Sequence, residues 1–333
     1  MEPELTKGSV SGAGLCVALA LAAAPFASNA QAQHAYPAKP ILVVSTASPG
    51  TSGDAALRIM AVKMTQSMGQ PVVVEVRSAA RGAQAHAVLS KAAPDGHTVT
   101  FGTSGTFVYS RFLFKNVMFD VLKDYAPISM SLNAPGYVAI HNSRGINTFQ
   151  ELIDYAKKNP GKLEYGSTGN GSFFHLATEA LKYAAGIDLL HVPYSQANYP
   201  QLQTDFLNGR IAIFATTWFN VGPNQSKLKA LAVIDRQRSR HTPDVPAITE
   251  LLPNMEPIVV WWGFLGPEGL PSSIANRIAA ESKKALQQPD VASKVEDLGM
   301  ELVGSTPEEL AKSLRQEINA IGTVVKAIGL QPE

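Results

Sequence analysis

The chain has 333 residues, 45% of them hydrophobic and 17% charged, and Lys+Arg 28 against Asp+Glu 27 leaves a formal net charge of +1. Such a composition excludes a disordered chain and suits about two domains. It also argues against a nucleic-acid binder, which concentrates positive charge on one face; the dense basic stretch Arg236-Gln237-Arg238-Ser239-Arg240 precedes a proline-rich segment and reads as a solvated loop.

Residues 13–24 are an apolar run of small and aliphatic residues, followed by Pro25 and by Ser28-Asn29-Ala30 and Ala30-Gln31-Ala32. A short apolar run ending in small residues is the pattern of a secretory signal peptide, expected here over 1–32, and the run is shorter than the roughly 20 residues a bilayer span needs. Its start is atypical, since Lys7 is accompanied by Glu2 and Glu4. Cys16, the one cysteine, lies inside this run, with Leu15 before it where a lipid-attachment site wants a small residue. A mature chain without cysteine has neither thiolate chemistry nor Cys-based metal sites. The expected destination is the periplasm.

From residue 41 strands and helices alternate. Ile41-Leu42-Val43-Val44 predicts a strand, 55–68 a helix, Val72-Val73-Val74-Glu75-Val76 a strand, 83–91 a helix and Val99-Thr100-Phe101 a third strand. The rhythm resumes with a helix over 148–158, a strand at 163–165, a helix over 174–185, and strands at 191–194, 211–214 and 228–234. Residues 272–328 read as two or three amphipathic helices, with Thr306-Pro307-Glu308-Glu309 as a helix start. This order predicts an α/β protein with parallel-rich sheets flanked by helices. A strand interrupted at Asn133-Ala134-Pro135-Gly136 and the apolar run 258–265 look like two crossings between domains. They predict a discontinuous first domain, 36–135 plus 256–333, and a second at 136–255, joined by a hinge that suits capture by closure.

Five loops follow strands and carry Gly or hydroxyl residues: Ser48-Pro49-Gly50-Thr51-Ser52-Gly53-Asp54, Arg77-Ser78-Ala79-Ala80-Arg81-Gly82, Gly102-Thr103-Ser104-Gly105-Thr106, Ser167-Thr168-Gly169-Asn170-Gly171-Ser172 and Thr216-Thr217-Trp218-Phe219-Asn220. A helix start presents unpaired N–H groups and the positive end of the macrodipole, so it binds an anion without a formal charge. Each loop alone is equally an ordinary cap, Asp54 included; their accumulation points to an anion site. Enzyme templates fail: there is no Gly-x-Ser-x-Gly and no Gly-Lys-Ser/Thr, Ser226-Lys227-Leu228-Lys229 lacks its partner motifs, and the seven His residues are scattered without metal-ligand spacing. His175 and His191 read as loop-holding residues. No catalytic residue, metal or cofactor is expected.

Tyr36-Pro37, Lys39-Pro40-Ile41, Pro49-Gly50 with Asp54, and Gly69-Gln70-Pro71-Val72-Val73-Val74-Glu75 resemble the Bug family of tripartite tricarboxylate transporter binding proteins. So do Ala92-Ala93-Pro94-Asp95-Gly96, Gly102-Thr103-Ser104-Gly105-Thr106, Asn159-Pro160-Gly161-Lys162-Leu163, His191-Val192-Pro193-Tyr194, Asp244-Val245-Pro246 and Trp262-Gly263. The resemblance implies a two-domain periplasmic binding protein of Venus-flytrap type II, a monomer without cofactor that passes a small carboxylate to membrane permease subunits. It implies ligand contacts from Ser48 to Gly53, Ala79 to Gly82, Thr103 to Thr106, Ser167 to Ser172 and Thr216 to Trp218. The chain departs from the family pattern at Gly50-Thr51, where Gly-Gly is usual, at Arg77-Ser78-Ala79-Ala80-Arg81-Gly82, and at Ala215, where an acid is common. Losing that acid and gaining Arg81, a candidate bidentate partner for a carboxylate as well as an ordinary surface arginine, disfavours a ligand ammonium. Phe101, Phe107, Phe173, Phe174, Tyr199, Trp218, Phe219 and Trp261 lie near these loops, and two or three of them stacking on a planar ligand would favour an aromatic dicarboxylate such as terephthalate or phthalate. Citrate or an aliphatic dicarboxylate, a sensor for a membrane kinase, and an enzyme on the same scaffold are the alternatives.

Overall fold

The computed structural model describes Met1, Gly8 and residues 36–78, 82–194 and 198–332. The expected signal peptide and Cys16 lie outside the described residues. Tyr36–Glu333 forms one compact unit.

Its elements follow in order: β1 Ile41–Ser45, α1 Ser52–Met68, β2 Val72–Val76, α2 Ala83–Leu89, β3 Thr98–Thr103, α3 Ser110–Leu113, β4 Tyr125–Ala134 and β5 Gly136–His141. Then come α4 Phe149–Lys158, β6 Glu164–Ser167, α5 Phe173–Ala185, β7 Leu190–Pro193, α6 Tyr199–Leu207, β8 Ile213–Thr217, α7 Trp218–Val221 and β9 Leu228–Ile234. The chain ends with α8 Ile248–Leu251, β10 Val260–Pro267, α9 Ser272–Leu286, α10 Pro289–Asp297, β11 Glu301–Leu302 and α11 Pro307–Ala327.

Helix boundaries follow from local capping chemistry. Thr51 caps α1, its hydroxyl accepting from Asp54 N–H, so the helix starts at Ser52 rather than 55; Gly69, in the left-handed region at φ 70°, ends it. Thr306 and Glu309 exchange side-chain and backbone hydrogen bonds at the start of α11, the reciprocal arrangement legible in Thr306-Pro307-Glu308-Glu309. Helix α4 turns Phe149, Leu152, Ile153 and Ala156 inward at helical spacing.

Two sheets result, a six-stranded one in the order β11-β4-β10-β3-β1-β2 and a five-stranded one in the order β7-β6-β8-β5-β9. Strands joined through helices pair in parallel, β1 with β2 and β3, and β6 with β7 and β8. The expected parallel-rich sheets are in fact mixed, because β10 runs antiparallel to β3 and β4, and β5 antiparallel to β8 and β9. These antiparallel strands belong to the two passages between sheets: β4 leads into β5 through Pro135 alone, and the chain returns between β9 and β10.

The second passage is pinned. Ser104 Oγ donates to the Val259 carbonyl at 3.0 Å, and the Tyr109 hydroxyl donates to the same oxygen. Two residues further on, Trp261 Nε1 donates to Glu317 Oε2 of α11 at 2.7 Å. A single apolar cluster runs from Phe107 and Tyr125 through Leu310, Leu314 and Ile321 of α11 to Leu176 and Ile213 beside the other sheet. Among the described residues no helix is long and apolar enough to cross a membrane.

Burial pushes the Glu317 carboxyl up to about 7, against the lowering by its Trp261 and Tyr109 hydrogen bonds. An acid whose pKa is raised on folding stabilises the protein most below its unfolded value, and the contribution fades as pH rises towards and past the folded one. Glu317→Gln, which keeps an acceptor for Trp261 without a charge, is therefore expected to melt higher than the parent above pH 7. The gap should widen by up to about 1.4 kcal/mol per pH unit between about pH 4.5 and 7 and level off above; thermal unfolding from about pH 4.5 to 8 measures it, and a gap that stays constant between about pH 4.5 and 7 would contradict it.

Candidate functional site

The Ser48–Asp54 loop is closed by its own groups. The Ser48 carbonyl accepts from Thr51 N–H at 3.2 Å and from its hydroxyl at 2.7 Å. Gly50, at φ 78°, turns its N–H towards Asp54 Oδ2, 3.2 Å away. Asp54 is buried, and Arg58 Nε lies 3.0 and 3.1 Å from its two oxygens. The acid thus neither caps α1 nor is free to repel an anion. Asp54 N–H goes to Thr51 Oγ1 and Ala55 N–H to the Thr51 carbonyl. Among the described residues the N–H groups of Ser52 and Gly53 have no such partner. A Cβ on Gly53 would lie 2.5 Å from the Trp262 ring, which is stacked on Phe101 at 5.8 Å; glycine is required for the indole to seat there.

Gly50, Thr51, Ser52 and Ala55 form one side of a cavity of about 420 Å³. Facing them are Tyr199, Gln203, Thr217, Phe219 and Asn220, and Ala134 with Leu298, Gly299 and Met300 completes the lining. None of these described lining residues is Lys, Arg, His, Asp or Glu. The volume is in the range of small-molecule sites. Among the described residues no group of three or more His, Cys, Asp or Glu could hold a metal.

Of the residues expected from the sequence, the structure brings Gly50, Thr51, Ser52 and Thr217 together in this lining. Ser48, Pro49 and Gly53 shape the same loop. Ala80 and Arg81 lie outside the described residues. Gly82, at φ 89°, packs against the Thr106 side chain. In the third loop Thr103 Oγ1 accepts from Thr106 N–H, and Ser104 is spent on Val259, so with Gly105 this segment lies behind the lining and supports the returning chain. The fourth loop also stands outside the lining. Ser167 Oγ sits 2.7 Å from His191 Nε2 and accepts from Gly169 N–H, while Gly171 N–H donates to His175 Nδ1 at 3.1 Å. Ser172 caps α5, Thr168 and Asn170 complete the turn, and a Cβ on Gly171 would strike Leu113. His175 and His191 thus hold this loop.

Two further positions stand apart from this lining. Ala215 is buried in β8, paired with Val138 and packed in the apolar core, so the residue there does not set the charge of the cavity. Trp218 turns away from the lining to stack on His241 at 6.2 Å. Of the eight aromatics, Tyr199 and Phe219 line the cavity, whereas Phe101, Phe107 and Trp261 are core. Ala55, Ala134, Gln203, Leu298, Gly299 and Met300 were missed. Gly299, at φ 74°, was readable as a helix end, but not its contact with Phe219, whose backbone N would lie 3.4 Å from a Cβ there.

The family of this fold and site is shown by comparison. Residues 56–330 match the tripartite tricarboxylate transporter family receptor, TctC. The UPF0065 protein in the tcbD-tcbE intergenic region of Pseudomonas sp. (strain P51) is 33% identical over 90% of this chain and 89% of its own. The periplasmic binding protein BugD is 25% identical, covering 90% of this chain and all (100%) of its own, at a TM-score of 0.68. An R. palustris protein solved with adipate is likewise 25% identical, over 90% of this chain and 100% of its own, at a TM-score of 0.71. The chain belongs to the TctC family of solute-binding receptors, the Bug proteins, and has their two-domain periplasmic binding protein fold.

The histidine pair supplies a pH test. The two rings lie 4.5 Å apart and Tyr165 stacks on His191 at 4.7 Å. Burial, and then His175, push His191 down to about 4, and burial lowers His175 too. A histidine with a lowered folded pKa is protonated first in the unfolded chain, so stability is complete above about pH 6.5 and falls as pH drops towards 4. Glu317 acts in the opposite sense over part of this range, so the histidine contribution is read as a difference. The melting temperature of His191→Gln is expected to fall less between pH 7 and 4.5 than that of the parent; parallel curves would contradict this.

Proposed function

We propose that this protein is a periplasmic receptor that captures a small carboxylate and hands it to the permease of a tripartite tricarboxylate-type transporter, acting as a monomer. The observation that carries this reading is the start of a 17-residue helix, where the N–H groups of Ser52 and Gly53 have no partner among the described residues and Ser52 lines a cavity. Two N–H donors and the helix dipole match a carboxylate's two oxygens. The Ser52 hydroxyl adds a third donor, and Arg81 belongs to the reading as a bidentate partner. Domains at 36–135 plus 256–333 and at 136–255 would close on the ligand through the two passages, with the segments at Ala80 to Gly82, Thr103 to Thr106 and Ser167 to Ser172 drawn in by closure.

The ligand we favour is an aromatic dicarboxylate of the terephthalate or phthalate type, because Tyr199 and Phe219 offer ring faces and Ala55, Leu298 and Met300 an apolar bed. An aliphatic dicarboxylate is the second reading, favoured by the R. palustris relative solved with adipate. The family is one of receptors, and we read the protein as binding without turnover.

Calorimetric titration with terephthalate, phthalate, adipate, succinate, citrate and glutamate tests the reading. At least one dicarboxylate is expected to bind and glutamate, with its ammonium, to be rejected. Ser52→Ala should weaken the best ligand about tenfold, as for loss of a hydrogen bond to a charged group. Failure of every carboxylate to bind would contradict the reading, and binding of only the aliphatic acids would remove the aromatic preference.

A further inference from the structure

The cavity wall opposite α1 is polar but uncharged, and its hydrogen bonds run in one direction. Gln203 Nε2 donates to Asn220 Oδ1 at 2.5 Å, which fixes the Asn220 amide with its oxygen towards α6. Asn220 Nδ2 donates to the Tyr199 hydroxyl oxygen at 2.8 Å and to Thr216 Oγ1 at 2.7 Å. An amide nitrogen has two hydrogens to give and no capacity to accept. Asn220 is therefore saturated, and the phenol hydrogen of Tyr199 cannot be returned to it.

Tyr199 is itself held in place. Its ring stacks on Phe174 at 5.8 Å and 9° and leans on Phe214 at 6.3 Å. Burial raises its pKa, outweighing the hydrogen bonds from Asn220, Thr216 and Gln203, so the phenol stays protonated at neutral pH. Its partner at hydrogen-bond distance, Asn220 Nδ2, cannot take the phenol hydrogen, and Tyr199 lines the cavity. Thr217 stands beside it, and no carboxylate of a described residue shares the wall.

We propose that Asn220 fixes Tyr199 as a one-way hydrogen-bond donor that reads the end of the ligand remote from α1. Such a wall selects a second carboxylate or another acceptor at that end and disfavours an ammonium, which would find Gln203 Oε1 but no opposite charge. Tyr199 touches the ligand; Asn220 is a positioning residue that acts through it. This inference rests on the carboxylate reading above and specifies the other half of the same site.

Matched acids that differ only at the remote end separate the two. Affinities of terephthalate against 4-methylbenzoate, and of adipate against hexanoate, are measured by calorimetry for the parent, Tyr199→Phe, Asn220→Ala and the double variant. The quantity read is the diacid-to-monoacid affinity ratio, which general loosening of the site lowers in both terms and leaves in place. The parent is expected to prefer the diacid about tenfold or more, as for one hydrogen bond to a charged acceptor. Tyr199→Phe should remove about tenfold of that ratio and Asn220→Ala a smaller part. Asn220→Ala should then change the ratio no further in the Tyr199→Phe background, since a residue acting through another shows full coupling to it.

A ratio unmoved by Tyr199→Phe, equal losses from Asn220→Ala in both backgrounds, or preference for 4-(aminomethyl)benzoate over terephthalate would overturn the inference while leaving carboxylate binding intact. Absence of binding by all these acids would overturn both together.

Discussion

The proposed site turns on one constraint: an anion would have to be held where the described lining offers no cation. The first turn of α1 meets it with two N–H groups that the chain leaves unused. Making them available requires a cap that satisfies Asp54 N–H but not its predecessors, and Thr51 does this. It also requires that the nearest carboxylate be neutralised. Asp54 lies in the first turn, where its own charge competes for the same dipole. The Arg58 guanidinium and the Gly50 N–H engage it from both sides, so the loop is braced by an acid that does not oppose the ligand.

The other glycine and hydroxyl loops show how similar sequences serve different ends. Ser104 ties the returning chain at Val259, and Ser167 and Gly171 are held by His191 and His175. They do for the framework what Ser52 and Gly53 do for the cavity. Between them, the pinned passage at Val259 and the one-residue passage at Pro135 connect two sheets that share a continuous apolar cluster. Charge inside that framework is costly, and the raised Glu317 carboxyl shows it.

Much of this was legible before any coordinates. The β-branched runs, the glycine-ended helices and Thr306-Pro307-Glu308-Glu309 each encode a local structure through short-range chemistry, and they gave the element order and the two passages. The capped start of α1 in the Ser48–Asp54 loop was legible for the same reason, since a cap is a local event. The far wall was not. Gln203 reaches Asn220 across 17 residues of chain, and Gly299, after α10, meets Phe219 of α7, so neither spacing nor propensity registers them. Ala215 misled because burial is not a local property: the position pairs with Val138 and packs in the core, whereas Thr217, on the same face but at the end of β8, lines the cavity.

The account stands or falls on the two open N–H groups. Amide resonances of Ser52 and Gly53, followed by heteronuclear NMR on deuterated protein as the best-binding carboxylate is added, report on them directly. Both are expected to move strongly downfield at saturation, as N–H groups do when they donate to an anion, with Asp54 and Ala55 moving little. Saturating binding that leaves Ser52 and Gly53 in place would contradict the account.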